Sequence, residues 1–383
     1  MSIEESDRIL QDAAGKIRFF HHVNPINEGE QKERFLKNPS PATEPEFAYP
    51  PLEFSPEELA GALRGMPLAG IGDERLRRLY ADRRDELVSK IRLLEVRGSG
   101  EFFRRSLDLF GRPPRDIVQD AEDILSLPRH PEQRDLGAEE VKVMLEQYLD
   151  LLRKSNPGFD CEVVMAPHMS SNMYVRENRI HIKEGARYSR MAAECDKHHE
   201  IEAHILTYLN GLQQPLGLLR VGLRGTMAFQ ESLGVFTEIA SGVMAPERVN
   251  SLCSRVVAVD SMVRGMEFFD LFDRLVGEFG FDQEFAYSVC QRVFRAGGLT
   301  KDWVYLAEVG GILRYWATGG DLAVLLLGKV NLEEAETVAR LLEEGVLTPP
   351  RFLPLYLGKI KPPELPPSRI SLTYLFALDL AEN

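Results

Sequence analysis

Cysteine is scarce in this chain, with four in 383 residues, at positions 161, 195, 253 and 290. They are widely spaced and form no C-x-x-C pair, which argues against both a disulfide scaffold and a cysteine zinc site and fits a reducing compartment. Long apolar stretches are missing too, since none reaches the roughly 18 residues that mark a membrane span. The start, Met1-Ser2-Ile3-Glu4-Glu5, is acidic where a secretory leader would be basic and then apolar, so the expectation is a cytoplasmic protein. Positive charge is in deficit, 46 Lys and Arg against 59 Asp and Glu, for a formal net charge of −13. That balance argues against nucleic acid or an anionic membrane as the main partner, and an acidic peptide would need a locally basic cleft. There is no internal repeat or low-complexity tract. A hydrophobic content of 44% and a charged content of 27% are ordinary for a soluble protein with a substantial core.

What the chain does have is a cluster at 198–204. His198-His199-Glu200-Ile201-Glu202-Ala203-His204 packs three of its eight histidines and two carboxylates into seven residues. Composition alone would produce H-E-x-x-x-H about 0.01–0.02 times in a chain this long. Residues four apart share a helix face, but His199 and His204 are five apart and diverge by about 140° on a regular α-helix. A one-residue bulge repairs this, because a π-type turn with about 4.4 residues per turn returns i and i+5 to one side. The spacing therefore predicts a widened turn carrying two metal ligands. His198 points elsewhere on any helix, which assigns it to a supporting or surface role and not to ligation.

Zinc held by two histidines needs a third protein ligand, commonly a carboxylate. Glu231 is the candidate: it lies in TMAFQESLGVFTE (226–238), among small and apolar neighbours that favour a buried helix where an unpaired carboxylate would be costly. Glu238, two turns on, faces the same way and either hydrogen-bonds a ligand histidine or sits as a surface charge. Asn210-Gly211, Gln214-Pro215 and Gly217 are turn signals that let the chain return antiparallel and bring Glu231 back to the histidines.

HEIEAH, then LTYLNGLQQPLGLL, then FQESLG resembles a zinc-metallopeptidase family marked by H-E-x-x-x-H and a Q-E-G-L-A segment. That family includes the microtubule-associated tyrosine carboxypeptidases, which remove the C-terminal tyrosine of α-tubulin, and many bacterial QEGLA-motif proteins. The likeness extends to Ile26-Asn27-Glu28, Phe47-Ala48-Tyr49-Pro50 and Leu299-Thr300-Lys301-Asp302-Trp303-Val304-Tyr305-Leu306, so it covers most of the chain. It implies His199, His204 and Glu231 as ligands of one Zn2+ per chain and Glu200 as the catalytic carboxylate. Two departures stand out: H-E-I-G-T-H reads HEIEAH, and Q-E-G-L-A reads Gln230-Glu231-Ser232-Leu233-Gly234. Glu202 and Ser232 thus stand where the family has glycine, with the expectation of a narrowed or recharged cleft.

The implied chemistry is peptide-bond hydrolysis, in which zinc acidifies a bound water and polarises the carbonyl while Glu200 takes the water's proton and passes it to the leaving amine. Tyr305, Tyr208 and Arg295 are candidate donors to the oxyanion. A carboxypeptidase also needs a cation for the substrate's terminal carboxylate. Arg292, Arg295 and Lys301, beside Gly297-Gly298, are the candidates; their alternative role is to complement a helix C-terminus. The competing function is a non-catalytic metal-binding regulatory or interaction protein. A di-iron oxidase is disfavoured because no paired Glu-x-x-His motifs occur.

The expected fold is α+β and mostly helical, similar to the zincin peptidases, with a small sheet beside the metal-binding helices. Helices are expected at 4–20, 56–65, 73–97, 101–127 and 137–154, with a proline-rich extended link at 37–56. Interleaved charges at 75–84 read as a solvated helix face. A boundary at 128–136 would separate an N-terminal helical region, 1–135, from a catalytic domain, 136–383. Strands are expected at 161–165, 173–175 and 179–182, with a hairpin turn at Glu177-Asn178 and an edge on which a peptide could lie. His168, Ser170 and Ser171 fall in a loop as turn or substrate-positioning residues. Residues 246–344 read as largely helical, and Pro349-Pro350 and 362–367 as an extended tail.

Overall fold

Apolar residues at helical spacing dominate the first third of the chain, and in a computed structural model they form a succession of helices. The structure describes residues 2–128, 133–167, 169, 171–366 and 369–380, so His168, Ser170 and part of the 128–136 boundary lie outside the described residues. The first helix is Ser2–Ile17 and not 4–20. Arg18 takes a left-handed conformation (φ 30°) that ends it before a short helix, Phe19–Val23. Pro56–Arg64 and Glu74–Glu95 follow, capped by Ser55 and Asp73. The helix expected at 101–127 is two helices, Gly100–Phe110 and Arg115–Leu125. Gly111 (φ 67°) and Pro113-Pro114 break it, since a positive φ and missing N–H groups cannot continue a helix.

These helices bury Leu10, Ile17, Leu79, Tyr80, Leu87 and Ile91, and the same core continues into Leu218, Leu219, Leu299 and Val324. Residues on both sides of the expected boundary therefore share one apolar core. Asn27 ties the proline-rich link down, donating to Glu46 O (2.9 Å) and accepting from Ala48 N (2.9 Å).

The small sheet packs against the segment that carries the candidate site. Arg179–Lys183 is its central strand, parallel to Glu162–Ala166 and antiparallel to Met173–Arg176, with Glu177 (φ 57°) in the hairpin turn. Ile180 and Ile182 point inward, alternating with Arg179, His181 and Lys183, and pack on Val141, Leu145 and Leu149 of the helix Ala138–Ser155. Ile201 and Ile205 join the same cluster, which seats the histidine-bearing helix on the sheet.

Past 246 the chain is largely helical, as expected, through Pro246–Val263, Phe268–Gly277, Gln283–Phe294, Val309–Ala317 and Ala335–Glu343. Two buried asparagines clamp the extended tail: Asn210 bonds Phe352 through both N–H and carbonyl (2.8 Å each), and Asn156 does the same at Leu353. Asn210-Gly211 is consequently not a turn. The helix Leu206–Gln213 runs through it, and Gly211 serves close packing, as a Cβ there would lie 2.8 Å from Leu219 O. The result is a mostly helical α+β chain, and no helix among the described residues is long and apolar enough to cross a membrane.

Candidate metal centre

Ser189 opens the histidine helix by accepting from Ala192 N (3.1 Å), and α-helix runs over Arg190–His198. His199–Ile205 is then a π-helix before α-geometry resumes at Leu206. The wider turn does what the five-residue spacing requires: the His199 and His204 rings face the same way with centroids 5.0 Å apart. Gln230 Oε1 accepts from the Thr207 hydroxyl (2.8 Å) and lies 3.4 Å from His204 Nδ1, which leaves Nε2 of that ring available.

The facing helix, Thr226–Ala240, is apolar nearly all round because it is buried nearly all round, with 12 of its 15 residues inaccessible. It delivers Glu231, whose Oε2 lies 3.6 Å from His199 Nε2 while Oε1 accepts from Lys301 Nζ at 2.7 Å. Ligand atoms of His199, His204 and Glu231 all fall within 4.8 Å of one another. The two helices approach this closely because residue 234 is glycine. A Cβ there would come within 2.3 Å of His199 Cε1. Gly234→Ala is therefore expected to displace the His199 ring and weaken zinc binding by about tenfold or more, read by competition with a chromophoric chelator; unchanged affinity would contradict this packing.

Behind His199 the support is a buried ion pair. Glu238 is completely inaccessible and accepts from His199 Nδ1 at 2.7 Å. Arg248 closes on it with Nε to Oε2 at 2.9 Å and Nη2 to Oε1 at 2.7 Å. Of the two roles open to Glu238 in the sequence, hydrogen bonding to the histidine is the one it takes. Arg248 was not among the sequence candidates; its only trace there was the need of a buried Glu238 for a cation.

The electrostatics favour a cation at the centre. Burial favours a neutral His199, but Glu231 and Glu238 outweigh it and push its pKa up to about 10. Burial, then the charge of His199, pushes His204 down to about 4, so that ring is a neutral donor. Burial raises Glu231, yet Lys301 and the two histidines hold it well below the usual carboxylate range. Two imidazole nitrogens and one carboxylate oxygen form a donor set suited to zinc with an open coordination position. Glu200 follows His199 directly and is half-buried; burial pushes its carboxyl up to about 7, with His199 opposing and Asp196 and Glu231 adding to the rise.

A cleft of about 290 Å³ opens beside the centre, with His204, Gln230 and Glu231 on its wall. Tyr208 lines it, whereas Arg292, Arg295, Lys301 and Tyr305 do not. Arg292 pairs with Asp302 (2.6 Å), Arg295 donates to Asn24 (2.7 Å), and Lys301 is spent on Glu231. As grips for a substrate carboxylate these three are already engaged. Tyr305 stands at the centre itself, its ring 6.4 Å from that of His199 and its hydroxyl 3.4 Å from Arg292 Nη2. Tyr49, from the N-terminal part of the motif set, braces this corner by accepting from Ala296 N (2.6 Å). The cations that do line the cleft are Arg83, Lys90 and Lys329. In the sequence Arg83 looked like part of a solvated helix face, but Arg83 and Lys90 are buried and share the one carboxylate of Glu86, which leaves the trio with a net positive charge.

The two motif departures do not recharge the cleft. Glu202 is wholly buried, accepting from Tyr148 OH (2.5 Å) and Leu355 N (3.0 Å) and pairing with His198 Nδ1 (2.7 Å). His198 thus braces this network and not a ligand ring. Ser232 donates to Val304 O (2.8 Å), fixing the turn that carries Lys301 and Tyr305.

No curated protein matches the chain. A solved structure described as a lipoprotein of unknown function from Shewanella oneidensis is similar over 74% of this chain and 72% of its own, with 12% identity and a TM-score of 0.41. A family model described as microtubule-associated tyrosine carboxypeptidase matches residues 33–364, which include both motif-bearing helices and every residue lining the cleft except Phe20, and the chain belongs to that family.

Proposed function

We propose that the chain is a zinc-dependent carboxypeptidase with a zincin-type arrangement, acting on the C-terminus of a peptide or protein in the cytoplasm. The observation that carries this reading is the convergence of His199, His204 and Glu231 on one point, with His199 locked from behind by Glu238 and Arg248. A zinc ion held there would supply Lewis acidity towards a carbonyl and a water acidified towards neutrality. Glu200 would take a proton from the attacking water and return it to the leaving amine, a task suited to a carboxyl group poised near pH 7. Tyr305, with its hydroxyl between Lys301 and Arg292, is the nearest neutral donor for the oxyanion.

The outer strand Met173–Arg176 has a free edge, and its Val175 lines the cleft, so an extended peptide can add to the sheet and run towards the centre. Phe20, Tyr208, Val221 and Met227 give that cleft the apolar walls an aromatic last residue requires, in keeping with the tyrosine in the family's description. The catalytic unit assigned to 136–383 is completed by Phe20, Arg83 and Lys90 from the N-terminal helices. Four buried free thiols suit a reducing setting.

Peptides ending in tyrosine are expected to lose that residue, to be spared after chelation, and to be cut again when zinc is restored. Turnover that persists in chelator would contradict the zinc mechanism. A zinc-loaded protein that cuts no peptide would favour the regulatory reading.

A further inference from the structure

The cleft beside the metal centre is richer in donors than in acceptors. Lys329 lines it and has no ion pair with any acid among the described residues; the closest aromatic contact of its ammonium is the Tyr208 ring, at 5.9 Å. Its backbone is pinned on both sides, N donating to Leu219 O (2.9 Å) and O accepting from Leu223 N (2.9 Å) and Thr226 Oγ1 (3.0 Å). Arg83 and Lys90 stand on the same wall, with Glu86 between them at 2.5 and 3.0 Å.

Two further donors on this wall are more than nine-tenths buried and have no partner. They are Arg83 Nε and Gln230 Nε2. Unmet buried donors are costly, and both belong to side chains that line this cavity together with Lys329, although the two atoms themselves are shielded from it. The acids on the wall answer them only in part: Glu231 is taken by Lys301, and Glu177, in the hairpin turn, acts on Lys329 through its charge without forming an ion pair among the described residues. Burial, then the charges of Arg83, Lys90 and Arg220, lowers the Lys329 pKa to about 8, with Glu177 opposing. Its charge is also felt at His204, which puts it within electrostatic reach of the metal centre.

We propose that Lys329, backed by Arg83 and Lys90, receives the terminal carboxylate of the substrate and so makes the enzyme act at a chain end. This rests on the carboxypeptidase reading and deepens it. An ammonium fixed beside the metal ligands orients a planar anion, whereas an amide or an internal peptide bond would leave the cation desolvated without a counter-charge. It also resolves the overall charge of −13, since the substrate end meets a locally basic wall.

The test uses the full chain and two readouts. Calorimetric binding of N-acetyltyrosine against N-acetyltyrosinamide needs no turnover, so it reads the anchor even where catalysis fails. The free acid is expected to bind wild type at least tenfold more tightly than the amide, Lys329→Ala to lose about 10- to 100-fold for the acid alone, and Lys329→Arg to recover most of it. In hydrolysis, Lys329→Ala is expected to raise KM for free-ended peptides with a smaller change in kcat. Equal or undetectable binding of both probes by wild type, or an unchanged preference in folded Lys329→Ala, would overturn the proposal. Preferential binding of the acid without hydrolysis would uphold the anchor and sink the enzymatic reading instead.

Discussion

Glu200→Gln is expected to lower kcat by about 10³- to 10⁴-fold while the protein keeps its zinc, the upper range of what one general acid–base group contributes. The amide is nearly isosteric and uncharged, and burial already disfavours the charge of this carboxyl, so folding is preserved. The effect comes from the proton: an amide can neither accept one from water nor deliver one to the leaving nitrogen. KM is expected to change little, because Glu200 is not among the residues lining the cleft. Single-turnover rates beside elemental analysis read both halves of this expectation. A variant with full zinc and near wild-type kcat would transfer the role of base to another group.

Arg248→Met is expected to destabilise the fold by about 3 kcal/mol, because it leaves the fully buried Glu238 with His199 as its one remaining partner among the described residues. Burial raises the Glu238 carboxyl, but Arg248 and His199 overcome this and hold it down to about 2, so near neutral pH the group is an anion that needs its cation. The same substitution frees the Glu238–His199 contact to drift, with an expected 10- to 100-fold loss of zinc affinity. Denaturant melts and chelator competition measure the two effects separately. The double variant Arg248→Met with Glu238→Gln is expected to recover part of the stability, since the charge is removed with its partner. A single variant as stable as wild type would mean that Glu238 is not held as an anion by Arg248.

The convergence of His199, His204 and Glu231 was legible in the sequence because its constraint is local. His199 and His204 at five-residue spacing demand a π-turn, and the turn is present over His199–Ile205. Glu231 stood out because a carboxylate in an apolar helix needs a reason to be there, and Glu238 followed from it by helical periodicity. The strands and their hairpin were legible for the same reason, as alternation and a turn dipeptide are short-range signals. What was not legible depends on packing between distant segments. Arg83 read as part of a solvated helix face, and only the folded chain shows it and Lys90 buried around Glu86 beside a cleft that Lys329 also lines. Arg292, Arg295 and Lys301 attracted notice by their density beside two glycines, and the fold commits them to Asp302, Asn24 and Glu231. Glu202 looked like a new charge in the cleft because spacing gives a helical direction but cannot say that Tyr148 and the tail at Leu355 wait on that side.

Every step of the proposed mechanism depends on the metal, so the most direct measurement is the zinc content of purified wild type beside His204→Ala and Glu231→Ala, each resupplied with zinc and dialysed. A three-ligand centre predicts about one zinc per wild-type chain and a sharp loss in both variants with their fold retained. Wild-type protein that takes up no stoichiometric zinc, or variants that hold it as tightly as wild type, would contradict the centre built from His199, His204 and Glu231.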